Sequence, residues 1–470
     1  MSTETKRNYA PALTVLTSLF FMWGFITCLN SMLVPYLQKL FSLSSLASNL
    51  VNSAFFIAFV VMSVPSGILV KRLGYKTGCS VGLVVCALGA LLFYPSGAMR
   101  SFPLFMVATF VIATGVTILQ VAANPFVTLL GPPETASGRL NLTQAFNSLG
   151  TYVAPLIASA LLLKGIGDKS VEEQAAMVQA PYLGLGVLLV VLAVVFSLFK
   201  LPDPQKEGTS SAGEGGASDD FDKLHGSAWA YRHLLLGVVA IFAYVGAEVA
   251  VGSNIVFFLR DPSIAGLAES DAAKFVAIYW GGAMIGRFFG ALMLSKGLTS
   301  ARKYGFAALV VALAFVVGWI ALGRPESAIV FSAFAIVNYA LLHLGRNNPH
   351  RSLGVFAVVA AVLAFSPVVA TGQVAIWAIC CIGLFNSIMF PTIFSLGVSR
   401  LGRHVPQGSG ALVMGIVGGA VIPPLWGKVS DATGSVTIPF VVCALCYAYI
   451  AFYAFAGSIP EKTADKAAAT

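Results

Sequence analysis

The stretch LQVAANPFVTLLGPPETASGRLNLTQAFNSLGTYVAP, residues 119–155, decides how the chain is read. It begins as an apolar helix, yet carries Gln120 and Asn124 one turn apart. A polar turn holding Glu134 and Arg139 follows, and then a second apolar helix with Gln144 and Asn147 at i, i+3. Residues three or four apart share a helix face, so two neighbouring apolar segments each present a pair of amides to one side. An unpaired amide is costly in hydrocarbon, and polar side chains at membrane depth face a bundle interior or a wet cavity. Amides donate and accept hydrogen bonds at once, which suits a ligand made of hydroxyls. Their other use is hydrogen bonding between helices.

The rest of the chain fits such a setting. Of its 470 residues 58% are hydrophobic and 10% charged, and the mean hydropathy is +0.86. Soluble domains carry about 25% charged residues, so this is an all-α polytopic membrane protein. The first apolar run begins near Pro11, behind Lys6 and Arg7, and is too long for a signal-peptide core. It reads as a retained first span with a cytoplasmic N-terminus. The net charge of +9 does not point to nucleic acid, because the basic residues cluster between spans. The seven cysteines, Cys28, Cys79, Cys86, Cys380, Cys381, Cys443 and Cys446, lie in apolar runs and have neither metal-site nor disulfide-framework spacing. No phosphate loop, zinc-ligand pair or nucleophile elbow is present. Neither a catalytic residue nor a metal site is expected.

A span needs about 20 apolar residues. About fourteen are expected, near 11–37, 48–70, 78–95, 102–130, 141–164, 181–200, 234–259, 272–296, 304–322, 327–345, 352–370, 374–399, 407–427 and 434–457. Alternating the loops puts Lys71, Arg72, Lys76, Arg139, Lys296, Arg302, Lys303, Arg346, Arg351, Arg400 and Arg403 on one side. That side is read as the cytoplasm, with both termini on it. Residues 201–233 are Gly-, Ser- and acid-rich and read as a flexible cytoplasmic linker. They divide an N-terminal unit, 1–200, from a C-terminal one, 234–460, and 461–470 reads as a disordered tail. The halves echo each other: Pro125 precedes Gly131 by six residues, as Pro391 precedes Gly397. In the next span of each half a glycine precedes a proline by five, Gly150 to Pro155 and Gly418 to Pro423. Such repeats suit a transporter with its site at the midplane between halves.

Six runs carry a resemblance: FFMWGFITCLN (20–30), QVAANPFVTLLG (120–131), RLNLTQAFNSLGTYVAP (139–155), YVGAEVAVGS (244–253), GGAMIGRFFG (281–290) and GLFNSIMFPTIFSLG (383–397). Together they resemble the fucose–galactose–glucose:proton symporter family, a branch of the major facilitator superfamily, and within it the bacterial glucose/galactose transporters. The resemblance implies two six-helix bundles related by a pseudo-twofold axis around a central sugar cavity, in a bacterial inner membrane. It implies cavity-lining roles on the first, fourth, seventh and tenth family helices, where Asn30, Gln120, Asn124, Glu248 and Asn386 fall. Twelve spans are usual in the family, so a surplus helix pair is expected near 304–345. The chain departs from the family at two acids. Ser31 stands where many members have an acid linked to proton coupling, and Gln120 stands where the fucose members have a glutamate.

A pyranose has hydroxyls on its rim and C–H groups on its faces, so amides and a carboxylate would hold the rim and aromatic rings the faces. Trp23, Thr27 and Asn30 follow helical spacing, as do Tyr244 and Glu248; Trp23 and Trp280 are the candidate stacking rings. Glu248 is the one carboxylate well inside a span. A charge there costs about 2.5–3.5 kcal/mol on insertion scales, so Glu248 is expected to bind sugar hydroxyls and to be the proton carrier that partly replaces the acid missing at Ser31. A sodium ion is the alternative coupling ion. Arg287 is expected to act as a gate or in an interhelical ion pair rather than on the sugar. The expected function is hexose uptake by alternating access, with a proton as coupling ion, no cofactor, the lipid bilayer as its setting, and a monomer as the working unit. A facilitative uniporter is the nearest rival, since Ser31 and Gln120 are both neutral. A non-transporting sugar sensor would need an output domain that the linker is too short and polar to form, and a membrane glycosyl-transfer enzyme would need a carboxylate or metal cluster that no loop carries.

Overall fold

The computed structural model describes residues 9–40, 45–158, 171–199, 201, 227–294, 299–345 and 348–460. Side chains are placed for all of these except 30–40, 45–54, 155, 156, 158, 171–178, 269 and 270. The tail 461–470, most of the expected linker and the side chains of Asn30 and Ser31 lie outside the described residues. The last seven residues of that expected linker belong to the fold instead. Ser227 caps a 3-10 turn at Ala228–Ala230, whose first amide donates to Gln407 Oε1 at 3.0 Å, and the next helix starts at Arg232.

Sixteen helical segments follow one another among the described residues: α1 (Ala10–Leu40), α2 (Ser45–Leu73), α3 (Tyr75–Ala98), α4 (Phe102–Leu129), α5 (Ala136–Ala158), α6 (Val171–Leu198), α7 (Arg232–Arg260), α8 (Glu269–Met293), α9 (Ser300–Leu322), α10 (Pro325–Leu344), α11 (Pro349–Val369), α12 (Gly372–Asn386), α13 (Met389–Gly397), α14 (Val405–Met414), α15 (Gly418–Thr433) and α16 (Phe440–Phe452). The segments α12 and α13 form one broken crossing, and so do α14 and α15, giving fourteen crossings. Thirteen of these are long and apolar enough to span a bilayer. The described part of α5, which ends at Ala158 and includes Asn141, Gln144 and Asn147, does not reach that measure by itself.

Packing repeats between the halves. In the first, α1 packs on α5, α2 on α4, and α3 on both α4 and α6; in the second, α7 packs on α15, α8 on α12, and α11 on both α12 and α16. The hairpin α9–α10 has no counterpart in the first half. It lies against the outer side of α8 and presents Leu309, Ile320 and Ile336 outward. The glycines noticed in the sequence sit where matched helices cross most closely. A β-carbon at Gly150 would collide with the Phe21 carbonyl of α1, and one at Gly418 with the Phe242 carbonyl of α7.

The prolines of the repeat also act alike. Proline has no N–H, so inside a helix it leaves the carbonyl four residues earlier without its donor. Pro125 frees the Val121 carbonyl, which accepts from Ser409 Oγ of the opposite half at 3.0 Å. Pro391 frees the Ser387 carbonyl at the α12–α13 break, and Arg287 Nε donates to it at 3.1 Å. At the same break the Leu384 carbonyl accepts from Asn338 Nδ2, the fully buried amide of α10, at 2.9 Å.

The two halves meet along α5 with α8 and along α2 with α14. At the end of the bundle carrying Lys71, Arg139, Arg400 and Arg403, Ser137 of α5 and Ser395 of α13 share a buried hydrogen bond of 2.5 Å. Gly67 lies against the Pro406 carbonyl and Gly410 against the Ser63 carbonyl, so the halves touch backbone to backbone at this basic end. Gly150→Val and Gly418→Val should each destabilise the folded protein by about 1–3 kcal/mol through overpacking. Gly184→Val, at an α6 position with open space around it, should leave the melting temperature unchanged; thermal unfolding in detergent reads all three.

Candidate functional site

A cavity of about 150 Å³ lies where the halves face each other. Trp23, Gly24 and Thr27 of α1, Gln120 of α4, and Gln144, Asn147 and Thr151 of α5 form one wall. Tyr244, Val245 and Glu248 of α7, Arg287 of α8, Phe390 of α13 and Ile416 form the other. Helical spacing explains the clustering: Trp23 and Thr27, Gln144 and Ser148, Asn147 and Thr151, and Tyr244 and Glu248 are each one turn apart on one face. The volume is below the roughly 300 Å³ at which drug-sized pockets begin, which restricts the occupant to something small.

Glu248 and Arg287 are the only buried carboxylate and guanidinium among the described residues. Arg287 Nη2 lies 3.6 Å from Glu248 Oε1, and Tyr244 links the pair: its hydroxyl donates to Glu248 Oε1 at 2.6 Å and accepts from Arg287 Nη2 at 3.3 Å. The guanidinium also donates through Nη1 to Ser148 Oγ of α5, and through Nε to the freed Ser387 carbonyl. One side chain therefore joins α8 to α7, to the break in α12–α13, and to the opposite half. Behind the carboxylate, Tyr279 Oη donates to the Glu248 backbone carbonyl at 2.8 Å and accepts from Asn386 Nδ2 at 2.7 Å.

On the first wall, Gln144 Nε2 donates to Asn124 Oδ1 at 3.3 Å, and Asn147 Nδ2 donates to the Phe20 carbonyl of α1 at 2.9 Å. Each amide keeps its oxygen free of those bonds and available to a hydroxyl donor. The Trp23 ring packs on Phe20 with centroids 4.0 Å apart, and Phe390 lines the cavity from the second half. The site thus offers hydrogen-bonding groups of both senses, one ion pair and two aromatic walls. That set suits a small polyhydroxylated molecule.

The model of the major facilitator superfamily matches residues 15–345. The chain belongs to the major facilitator superfamily. A "Glucose/galactose transporter" of Brucella abortus is 47% identical over 97% of this chain and 96% of its own length. A "Putative glucose/galactose transporter" of Helicobacter pylori is 37% identical over 97% and 99%. A crystal structure of the transporter FucP, in the outward conformation, matches with a TM-score of 0.74 at 31% identity, covering 95% of this chain and 99% of that one; another structure describes FucP as the fucose:proton symporter of Escherichia coli.

Within this major facilitator fold, the residues singled out from sequence divide into three groups. Trp23, Gln120, Gln144, Asn147, Glu248 and Arg287 line the cavity. Asn124, Asn386 and Trp280 do not: Asn124 is fully buried behind Gln144, Asn386 is fully buried behind Tyr279, and Trp280 packs edge-on against Tyr279 at 5.1 Å. The third group is Asn30 and Ser31, whose side chains lie outside the described residues. Arg287 stands in the cavity wall itself, paired with Glu248. Thr151, Ser148, Ser387 and Phe390 were not singled out. The signal for Ser148 and Thr151 was present, one turn beyond Gln144 and Asn147, whereas nothing in sequence brings Ser387 or Phe390 to this place. Arg287→Met should cost about 3–5 kcal/mol, because it leaves a buried carboxylate uncompensated. Adding Glu248→Gln should recover most of that loss, and thermal unfolding of the two variants beside wild type measures the coupling.

Proposed function

We propose that this chain carries a hexose, glucose and galactose foremost, across the bacterial inner membrane by alternating access, and that a proton travels with it. The observation that carries the reading is the cavity between the halves, where amides, one ion pair and two aromatic walls converge. Gln120, Gln144, Asn147 and Glu248 hold the sugar hydroxyls, while Trp23 and Phe390 bracket the ring. The names of the relatives supply the hexose class. The basic end is the cytoplasmic one, both termini lie there, and the working unit is a monomer.

Glu248 is the coupling residue of this reading. Ionised, it holds Arg287, which ties α7 and α8 to α5 and to the α12–α13 break. Protonated, it loses its charge attraction for Arg287, and the tie between the halves weakens. The halves then separate more readily at the cytoplasmic seal made by Ser137, Ser395, Gly67 and Gly410. Facilitative transport is the second reading, favoured by the neutral Gln120 in the cavity wall.

Purified protein in liposomes should accumulate labelled glucose or galactose under an inward proton gradient, and a protonophore should abolish the accumulation. Sodium alone should not support it. Glu248→Gln should keep sugar exchange and lose uphill accumulation; unchanged accumulation in this variant would remove Glu248 as carrier, and no uphill movement in wild type would favour the uniporter. Gln144→Ala should weaken sugar binding by about fivefold, the worth of one neutral hydrogen bond. In a cysteine-free background, Ser137→Cys with Ser395→Cys should form a crosslink that stops transport until it is reduced.

A further inference from the structure

A second and larger hollow, about 560 Å³, opens on the flank of the bundle at its basic end. Its walls come from the start of α1 (Leu13), the start of α5 (Leu142), the end of α8 (Leu292) and the unmatched helix α9 (Phe306, Leu309, Leu313). Phe306, Leu309 and Leu313 are 47%, 66% and 37% exposed, so the hollow is open on the side that faces lipid. From Phe306 to Leu313 the helix rises about 10 Å, about a third of the hydrocarbon thickness. Among the described residues no amide or carboxylate side chain lines it.

Its mouth is cationic. Arg139 is part of the lining; its guanidinium donates to the Val127, Thr128 and Pro132 carbonyls and to Thr135 Oγ1 around the end of α4, with the Glu134 carboxylate the one anion acting on it among the described residues. On α9, Arg302 and Lys303 stand one turn before Phe306 and therefore on the face that lines the hollow. Arg302 is exposed and has no ion-pair partner among the described residues. An apolar trough that begins beneath fixed cations at one end of a membrane bundle has the chemistry of an anionic amphiphile, and basic pockets between spanning helices bind acidic headgroups.

We propose that this hollow is a binding site for an anionic phospholipid, with the phosphate beside Arg302, Lys303 and Arg139 and part of one acyl chain along Phe306, Leu309 and Leu313. The lipid fills the seam between the α9–α10 hairpin and the first half of the protein. A site of this kind exists only because the hairpin is there, since α9 supplies one wall and two of the three cations.

The test uses the full chain in detergent with dioleoyl phosphatidylglycerol or dioleoyl phosphatidylcholine added, read by native mass spectrometry and by thermal unfolding. Phosphatidylglycerol should be retained in preference to phosphatidylcholine and should raise the melting temperature more. The exposed change Arg302→Gln should reduce that preference by about fivefold, the double change Arg302→Gln with Lys303→Gln by more, and both should leave weak binding of both lipids. Leu313→Trp, which fills the trough and keeps the cations, should reduce retention of both. Equal retention of the two lipids by wild type, an unaltered preference in the double variant, or a dimer formed through this face in place of bound lipid would each overturn the assignment.

Discussion

Everything at the centre of this protein depends on where one guanidinium is held. Arg287 is buried in a bundle whose other buried charge, among the described residues, is Glu248, and a buried charge has to be both paired and hydrogen-bonded to be tolerated. Its four partners come from three places: a carboxylate and a phenol on α7, a serine on α5 of the opposite half, and a backbone carbonyl at a helix break. Removing any one of them leaves the charge less satisfied, so the position of each element is coupled to that of the others. The cavity is the space enclosed by this arrangement and the amide face of α4 and α5.

Proline supplies the backbone half of the arrangement. At matched places in the two halves it removes one donor and so frees one carbonyl deep in the bundle, where no water can satisfy it. In the first half the freed group is taken by Ser409 across the interface; in the second it is taken by Arg287. The same chemical device therefore makes a seam between the bundles in one place and anchors a charged side chain in the other. Neither bond is internal to a helix, and both involve elements that have to shift if the halves rock.

The sequence was most informative where a feature is periodic along one helix. The spans, the near-repeat of Gly150 and Pro155 at Gly418 and Pro423, and the amide face of α5 all follow from spacing, because an α-helix turns spacing into direction. It was least informative where contact depends on two helices meeting. Arg287 and Glu248 are 39 residues apart on different helices, and Ser148 lies in the other half, so no local pattern joins them. Asn124 and Asn386 show the limit from the other side. Each is an amide on a cavity-forming helix, yet each points into a packed layer, one toward Gln144 and one toward Tyr279. Periodicity says which residues share a face, but not which face looks inward. The departure at 227–233 has a similar origin: the residue that fixes this turn is Gln407, remote in the chain.

The polarity of α5 bears on how the protein is made. Over its described length it carries Asn141, Gln144 and Asn147. Its amides are satisfied only in company: Asn147 by the backbone of α1, Gln144 by Asn124 of α4. During synthesis α1 and α4 emerge first, so acceptors for both amides already exist when α5 leaves the ribosome. Insertion of α5 is then an act of tertiary assembly, and a defect in α1 at Gly24 or Phe20 would surface as a failure of membrane topology two hairpins later.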